Sequence, residues 1–523
     1  MRFAEILLLL QIVVVVLVAS SGKLRIPYPI LLVLGGLLLS FVPGLPRLQL
    51  NPDVVFLLFL PPILHYSAMA TEWREFRRYF SAIAVLAVVL VVFTSGVVAV
   101  VAYYWLGLPW EIGLILGAIV SPPDAIAATA VMRTMRVPRA LSTIVEGESL
   151  INDAAALVLY QFAITGLLKD SFTLAGSGVA FFLVGGGGLL LGLALGWIST
   201  QARRLLSGSP AALMVVIMTP FFVYTTADVL GVSGVLATVA SGLYIAQAGI
   251  AYIAPALRMQ ARAIWEAVVF LINGLAFILI GLQLPHVSEG LTVTVGEGHL
   301  ALQAGVICLA VMAARFLFIL PGYGLLRLWS HRHPLAHPRT VGWRGSVFVS
   351  WTGMRGIVSL AAALAVPLTL NSGKPFPYRQ EILFVSFSVV VVTLVVQGLT
   401  LPGLIRLLKL KATDDDSHEE TQALLAMTDT ALKELELVRQ VETIPPHFET
   451  FLRQRYLELQ ESARRDAGEG ATEMMAYADR VRILRRLLAA ERRQLMHLRQ
   501  TGEIGDELFM RLLSRLDHRE LIL

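Results

Sequence analysis

The chain reads as an all-α polytopic membrane protein. Hydrophobic residues make up 56% of its 523 positions and charged residues 15%, and mean hydropathy is +0.72, outside the range of ordinary soluble domains. Apolar runs recur to about residue 408, each near the roughly 20 residues that cross the hydrocarbon at 1.5 Å per residue. The single cysteine, Cys308, lies inside one of these runs, which excludes a disulfide framework and a cysteine-based metal site. A net charge of +5 would suggest nucleic acid in a soluble protein. Here the placement of charge matters more than its total, and the expected partner is the lipid bilayer, with no nucleic acid.

Thirteen spans are expected, at about 4–21, 26–43, 53–70, 82–105, 110–133, 141–168, 176–200, 211–230, 232–250, 262–284, 299–325, 345–370 and 381–408. The first is expected to be retained rather than cleaved as a signal peptide, because it has no basic leader beyond Arg2 and carries Glu5 near its start. Connections on one side of this array hold nineteen Lys and Arg, among them Arg74, Arg77, Arg78, Arg133, Arg139, Arg203 and Arg204, whereas the other side holds five. Excess basic residues mark the cytoplasmic face, so the expected orientation in the plasma (inner) membrane is N-terminus outside and C-terminus cytoplasmic. After Lys411 the composition turns abruptly to TDDDSHEE and then to a charged, helix-favouring region. That change predicts a transmembrane domain over 1–411 and a cytosolic helical tail over 412–523. Pro445-Pro446 and Gly468-Glu469-Gly470 divide the tail into three helices.

Two spans carry breaks. Span five contains Ser121-Pro122-Pro123-Asp124 and span twelve contains Trp351-Thr352-Gly353-Met354-Arg355-Gly356. Consecutive prolines remove backbone donors, and paired glycines relax the helix, so both spans are expected to be interrupted near mid-membrane. If spans 1–6 and 8–13 form two repeats, both breaks fall in the fifth element, and an offset of seven spans inverts the second repeat. Inverted repeats with matching interruptions point to a midplane substrate site in a secondary transporter. Asp124 at one break and Arg355 at the other are expected to compensate the exposed ends of the half-helices. Gly185 to Gly188 in span seven is read as a device for close helix approach.

Gly147-Glu148-Ser149-Leu150-Ile151-Asn152-Asp153 places two carboxylates inside span six. A carboxylate at the bilayer centre costs roughly 3 kcal/mol even on lenient scales, so the run implies a site for a cation or proton. Ser149 and Asp153 are four residues apart and share a helical face, while Glu148 and Asn152 share the adjacent strip. Hard cations prefer oxygen ligands; Asp153, Ser149, Asp124 and a carbonyl freed near Pro123 supply them. Glu148 points aside and is expected to pair structurally with Arg355, and Arg315 is a further possible partner for either acid. A carboxylate in a partly desolvated cavity has its pKa raised, which brings protons into competition with metal ions near cytoplasmic pH. Alternating access turns that competition into exchange. Because position 152 is Asn rather than a second acid, one proton is expected to leave for each cation, with no net charge movement. Glu146, almost on the Asp153 face, together with Asp228 and Glu266, are candidates for a cytoplasmic funnel or for structural support. His65 is read as a hydrogen-bonded packing residue.

Taken together, GESLINDAAALVLY at 147–160, SPPDAIAATA at 121–130, FLPPILHYSA at 59–68 and GMRGIVSLAAALA at 353–365 resemble the sodium/proton exchanger branch of the monovalent cation/proton antiporters, in its bacterial form. The resemblance spans about residues 1–410. It implies thirteen helices divided into a dimerisation domain and a mobile core, two unwound helices that cross, and a homodimer built on spans one to three and seven to nine. By matching positions, it implies Asp153 as the ion-binding aspartate, Asn152 as its partner, Glu148 and Arg355 as the buried pair, and Ser149 and Asp124 as accessory ligands. Where the prokaryotic pattern often has Thr-Asp-Pro, this chain has Pro123-Asp124-Ala125. Position 123 therefore offers only its carbonyl, which bears on the choice among sodium, potassium and lithium. No cofactor is expected, the transported ions being H+ with Na+ or K+. A cation channel would use the same cavity without coupling. An intramembrane enzyme is the remoter alternative, since neither aspartate lies in a Gly-x-Gly-Asp context and neither HExxH nor a Walker A sequence occurs.

Overall fold

A computed structural model describes the chain except for residues 1–2, 25, 43–55, 136, 170–173, 207–208, 249–254, 290–296, 333–341, 371–372, 411–414, 442–444, 467–473, 502 and 522–523. Arg2, Arg25, Lys411 and the Gly468-Glu469-Gly470 break lie outside the described residues. The fold is all-helical, and among the described residues there is no strand beyond one isolated bridge between Thr369 and Pro375. It divides into two compact units, Met1–Lys411 and Ala412–Leu523.

In the first unit the helices are α1 (Phe3–Leu24), α2 (Tyr28–Leu39), α3 (Leu60–Ala70), α4 (Phe80–Leu106), α5 (Trp110–Val120), α6 (Ala125–Met135), α7 (Arg139–Lys169), α8 (Leu174–Leu205), α9 (Pro210–Val229), α10 (Gly234–Ala248), α11 (Pro255–Glu289), α12 (Glu297–Arg332), α13 (Gly342–Trp351), α14 (Ile357–Leu364) and α15 (Arg379–Leu408). A short helix, Trp73–Arg78, precedes α4. By length and composition, eight helical stretches among the described residues are fit to cross a membrane, and α1, α2, α3 and α10 contribute shorter apolar helices. The two expected interruptions fall between α5 and α6 and between α13 and α14.

Packing sorts these helices into two groups. In one, α1 and α11 flank α2, α3 lies on α10, and α8, α9 and α10 pack mutually; in the other, α4 packs on α5 and α12, α7 on α5, and α15 on α12, α14 and α6. The groups meet where α15 touches α2 and α11, where α7 touches α3, α8 and α10, where α6 touches α2 and where α14 touches α11. Without hydrophobic drive between helices in lipid, close backbone approach supplies the attraction, and α2 and α11 meet backbone to backbone. A Cβ on Gly36 would strike the Ile278 carbonyl, and one on Gly281 the Val33 carbonyl. The glycine run of α8 serves the same end, since a Cβ on Gly188 would press on the Ser233 carbonyl at the start of α10. Inside α4, Val85–Val89 form a π-turn against α7, an irregularity common near functional sites.

The second unit comprises two helical hairpins. α16 (Asp415–Val441) packs on α17 (Pro446–Asp466), held by Thr421 Oγ1 donating to the Ala463 carbonyl at 3.0 Å and by Arg453 with Glu436 at 2.7 Å. Pro446 opens α17, where its missing N–H costs nothing. α18 (Met474–Gln500) and α19 (Asp506–Leu521) bury Leu488, Leu495, Phe509 and Leu516 between them. Among the described residues the tail thus has four helices where three were expected. Gly505 marks the extra break just before α19.

Candidate functional site

Pro122 and Pro123 cannot donate into a continuing helix, so α5 stops at Val120, with Ser121 N still donating to the Gly117 carbonyl at 2.9 Å, and Pro122 to Asp124 lead to α6. Across the way, Thr352 to Gly356 separate α13 from α14. The two open segments are hydrogen-bonded to each other, Asp124 N donating to the Met354 carbonyl at 2.6 Å. Each break exposes a helix C-terminus rich in free carbonyls and an N-terminus rich in free N–H groups. Two charged side chains answer these needs in opposite senses. One oxygen of the Asp124 carboxylate accepts from Ile126 N at 2.8 Å, which caps α6, and the other accepts from Ile357 N at 3.3 Å, which caps α14. Arg355 Nε donates to the Val120 carbonyl at 2.8 Å and Nη2 to the Ser121 carbonyl at 3.3 Å, at the end of α5, while Nη1 reaches the Gly353 carbonyl beyond α13. An anion therefore sits at two positive helix ends and a cation at two negative ends, the arrangement that helix dipoles favour. The Arg355 backbone N–H is held by Thr393 Oγ1 of α15 at 3.1 Å.

This double cap needs glycine at position 356, because any Cβ there would collide with the Asp124 carboxylate. Gly356→Ala is expected to lower thermal stability by about 1–3 kcal/mol or more through overpacking. Gly322→Ala, whose Cβ meets nothing within 4 Å, serves as the control, and equal melting of the two variants would contradict this geometry.

Glu148 does not pair with Arg355, which corrects the expected charge pair. Its carboxylate receives two bonds from Arg315 of α12, Nη1 to Oε1 at 2.6 Å and Nη2 to Oε2 at 3.0 Å, with both side chains 1% exposed. Nη2 also donates to the Val349 carbonyl of α13 at 2.8 Å. A guanidinium matches a carboxylate in this two-pronged geometry, whereas the Arg355 fork is already committed to backbone carbonyls.

Asn152 and Ser149 reach the broken segment from α7. Asn152 Nδ2 donates to the Pro123 carbonyl at 2.9 Å, and Ser149 Oγ accepts from Ala125 N at 3.1 Å. The Asn152 Oδ1 oxygen is buried without a protein partner. Asp153, on the next residue, is buried at 7% exposure. Among the described residues, its carboxylate has neither a hydrogen bond nor an ion pair, although it feels the charge of Asp124.

The candidates further out separate. Glu146 accepts from Thr129 Oγ1 at 3.3 Å and lines a cavity of about 310 Å³. Asp228 is exposed at the C-terminal end of α9, the end opposite the Arg203 and Arg204 connection, so it lies away from the arginine-rich side where a cytoplasmic funnel would open. Glu266 is half exposed and pairs with Arg262 one turn earlier at 2.9 Å, a helix-surface contact worth a few tenths of a kcal/mol. His65 is buried, 3.3 Å from Ser241 Oγ through Nδ1, and its ring lies 5.9 Å from that of Trp265. Thr393 and Thr129 were not singled out from the sequence, where an isolated hydroxyl in an apolar run carries no signal.

Comparison with known proteins agrees with this architecture. A family model for the sodium/hydrogen exchanger transmembrane region matches residues 9–407. An uncharacterised Na(+)/H(+) exchanger of Mycobacterium tuberculosis (strain ATCC 25618 / H37Rv) is 34% identical over 535 residues, covering 98% of this chain and 95% of its own. The Na(+)/H(+) exchanger YjcE of Escherichia coli (strain K12), also uncharacterised, is 31% identical over 524 residues, covering 95% and 94%. The sodium, potassium, lithium and rubidium/H(+) antiporter of Bacillus subtilis (strain 168) is 30% identical over 411 residues, covering 76% of this chain and 61% of that one. In fold, the chain is similar to the sodium proton antiporter MjNhaP1 of Methanocaldococcus jannaschii, with a TM-score of 0.59 at 19% identity over 78% of this chain and 98% of that one. With the two interrupted helices and their paired caps in place, these matches establish that the chain belongs to the sodium/hydrogen exchanger family of membrane transporters.

Proposed function

We propose that the protein exchanges protons for monovalent cations, Na+ and also K+ or Li+, by alternating access at Asp153. One observation carries this reading: every other ionisable group at the crossing is engaged, Glu148 by Arg315 and Asp124 and Arg355 by helix ends, while the buried Asp153 carboxylate has no hydrogen-bond or ion-pair partner among the described residues. A lone buried carboxylate is costly unless something neutralises it. A proton neutralises it by forming a bond to oxygen. A cation does so by electrostatic attraction, aided by the unpartnered Asn152 Oδ1, Ser149 Oγ and the Pro123 carbonyl. The two occupants exclude each other because the first to arrive removes the charge that attracts the second. With Asn at 152, one charge is exchanged for one, so the cycle is electroneutral and draws on no cofactor.

In this reading the thirteen expected crossings form inverted repeats, 1–6 and 8–13. The α1–α3 and α8–α10 group forms a homodimer scaffold, and the group holding the crossing moves against it. The chain then spans the plasma membrane with its N-terminus outside and residues 412–523 in the cytoplasm. Support for the division comes from helices that pack more densely within each of the two groups than between them. The names of the bacterial relatives support the transported ions. A cation channel would need a path open from both sides at once. Loading proteoliposomes with a pH-sensitive dye and adding Na+, K+ or Li+ tests the proposal: coupled movement of protons against the cation is expected, and cation flux without proton movement would refute it.

A further inference from the structure

Asp153 must be reached from the arginine-rich side, and the cavity on that side carries a charge pattern that the ion site alone does not explain. It lies among the end of α3, α6 and the first turns of α7. Its volume of about 310 Å³ has room for about ten waters at roughly 30 Å³ each, so an ion entering it keeps most of its hydration. Glu146 sits in its wall seven residues before Asp153 on α7 and, at roughly 100° per residue, close to the same face. Two acids, Glu72 and Glu146, are met by two arginines, Arg133 and Arg139. Arg139 has interactions of its own, whereas the exposed Arg133 acts electrostatically on Glu146, opposed by Glu72. A mouth lined by acids alone would concentrate cations and hold them. Here a fixed positive charge stands across from the acid that an arriving cation meets.

We infer that Arg133 sets the apparent affinity for the transported cation on this side, by offsetting the charge of Glu146 in the cavity wall and opposing entry of the cation. The inference rests on the reading of Asp153 as the exchange site. Removing one unit charge from the wall of a wet cavity changes local cation occupancy by about three- to tenfold, and salt screens the effect.

The test is the cation dependence of initial exchange rates in proteoliposomes, with the cation added on the arginine-rich side. Arg133→Gln is expected to lower the cation KM about three- to tenfold at low ionic strength, to keep the maximal rate, and to lose most of the difference when an impermeant salt is raised. Arg133→Lys keeps the charge and is expected to behave as wild type. Arg77→Gln removes an exposed charge outside this cavity and is expected to leave KM alone. An unchanged KM in Arg133→Gln, or an equal fall in Arg77→Gln, would overturn the inference while leaving the Asp153 reading intact. A wild-type protein without cation-dependent proton movement would overturn both.

Discussion

Asp153→Asn is expected to reduce cation-coupled proton movement to the level of protein-free vesicles while leaving a folded protein in the membrane. The substitution keeps the shape of the side chain and removes the only buried charge at the crossing that has no hydrogen-bond or ion-pair partner among the described residues. An amide neither takes up a proton near neutral pH nor presents a full negative charge to a cation, so both occupants are lost together. Stability should hold or rise, because an uncompensated buried charge has gone. Asp124→Asn is expected to behave differently. The Asp124 carboxylate caps both α6 and α14, and an amide oxygen keeps one cap at most, so that variant should lose stability along with activity. Exchange at wild-type rates in Asp153→Asn, or melting of Asp153→Asn as low as Asp124→Asn, would contradict the division between a site residue and a capping residue.

The second large effect concerns Arg315. Replacing it with Met leaves the Glu148 carboxyl buried without its partner, and removing one partner of a buried pair costs roughly 3–5 kcal/mol. The double variant Arg315→Met with Glu148→Leu removes both charges and is expected to recover most of that loss, a coupling far outside additivity. The same cycle run between Glu148 and Arg355 should give weak coupling, because Arg355 bonds to carbonyls at Val120, Ser121 and Gly353. Thermal unfolding of purified protein measures both cycles. Strong coupling of Glu148 to Arg355 with additivity toward Arg315 would contradict the geometry.

That pairing also marks where the sequence ceased to be legible. The breaks at Pro122-Pro123 and around Gly353-Gly356 were readable because proline and glycine act on their own backbone, and local chemistry needs no knowledge of the fold. The capping roles of Asp124 and Arg355 followed from the same locality, since charges beside opened helices meet the ends that the break creates. The partner of Glu148 was a different kind of question. Arg315 is 167 positions away, and helical periodicity within α7 cannot say which of two distant arginines faces it. One signal was available: Arg315 sits deep in an apolar span of its own and must find an acid, whereas Arg355 stands beside free carbonyls that compete for it. Glu266 carried a comparable clue in Arg262, one turn earlier, which makes a surface pair the simpler reading. Asp228 was placed by composition alone; alternation of the crossings from the basic connection at Arg203 and Arg204 puts it at the opposite end of α9. The tail helices were readable from their charge and periodicity. The break before α19 was missed because a lone glycine is weak punctuation beside a run such as Gly468-Glu469-Gly470.

The most direct measurement of the central claim is proton and cation flux in proteoliposomes, with wild type and Asp153→Asn compared at clamped voltages. Mutual exclusion at one carboxylate predicts that wild-type protein moves one proton against each cation at a rate indifferent to voltage, and that the variant moves neither. Cation flux that follows the voltage without an opposing proton, or that persists in Asp153→Asn, would contradict it.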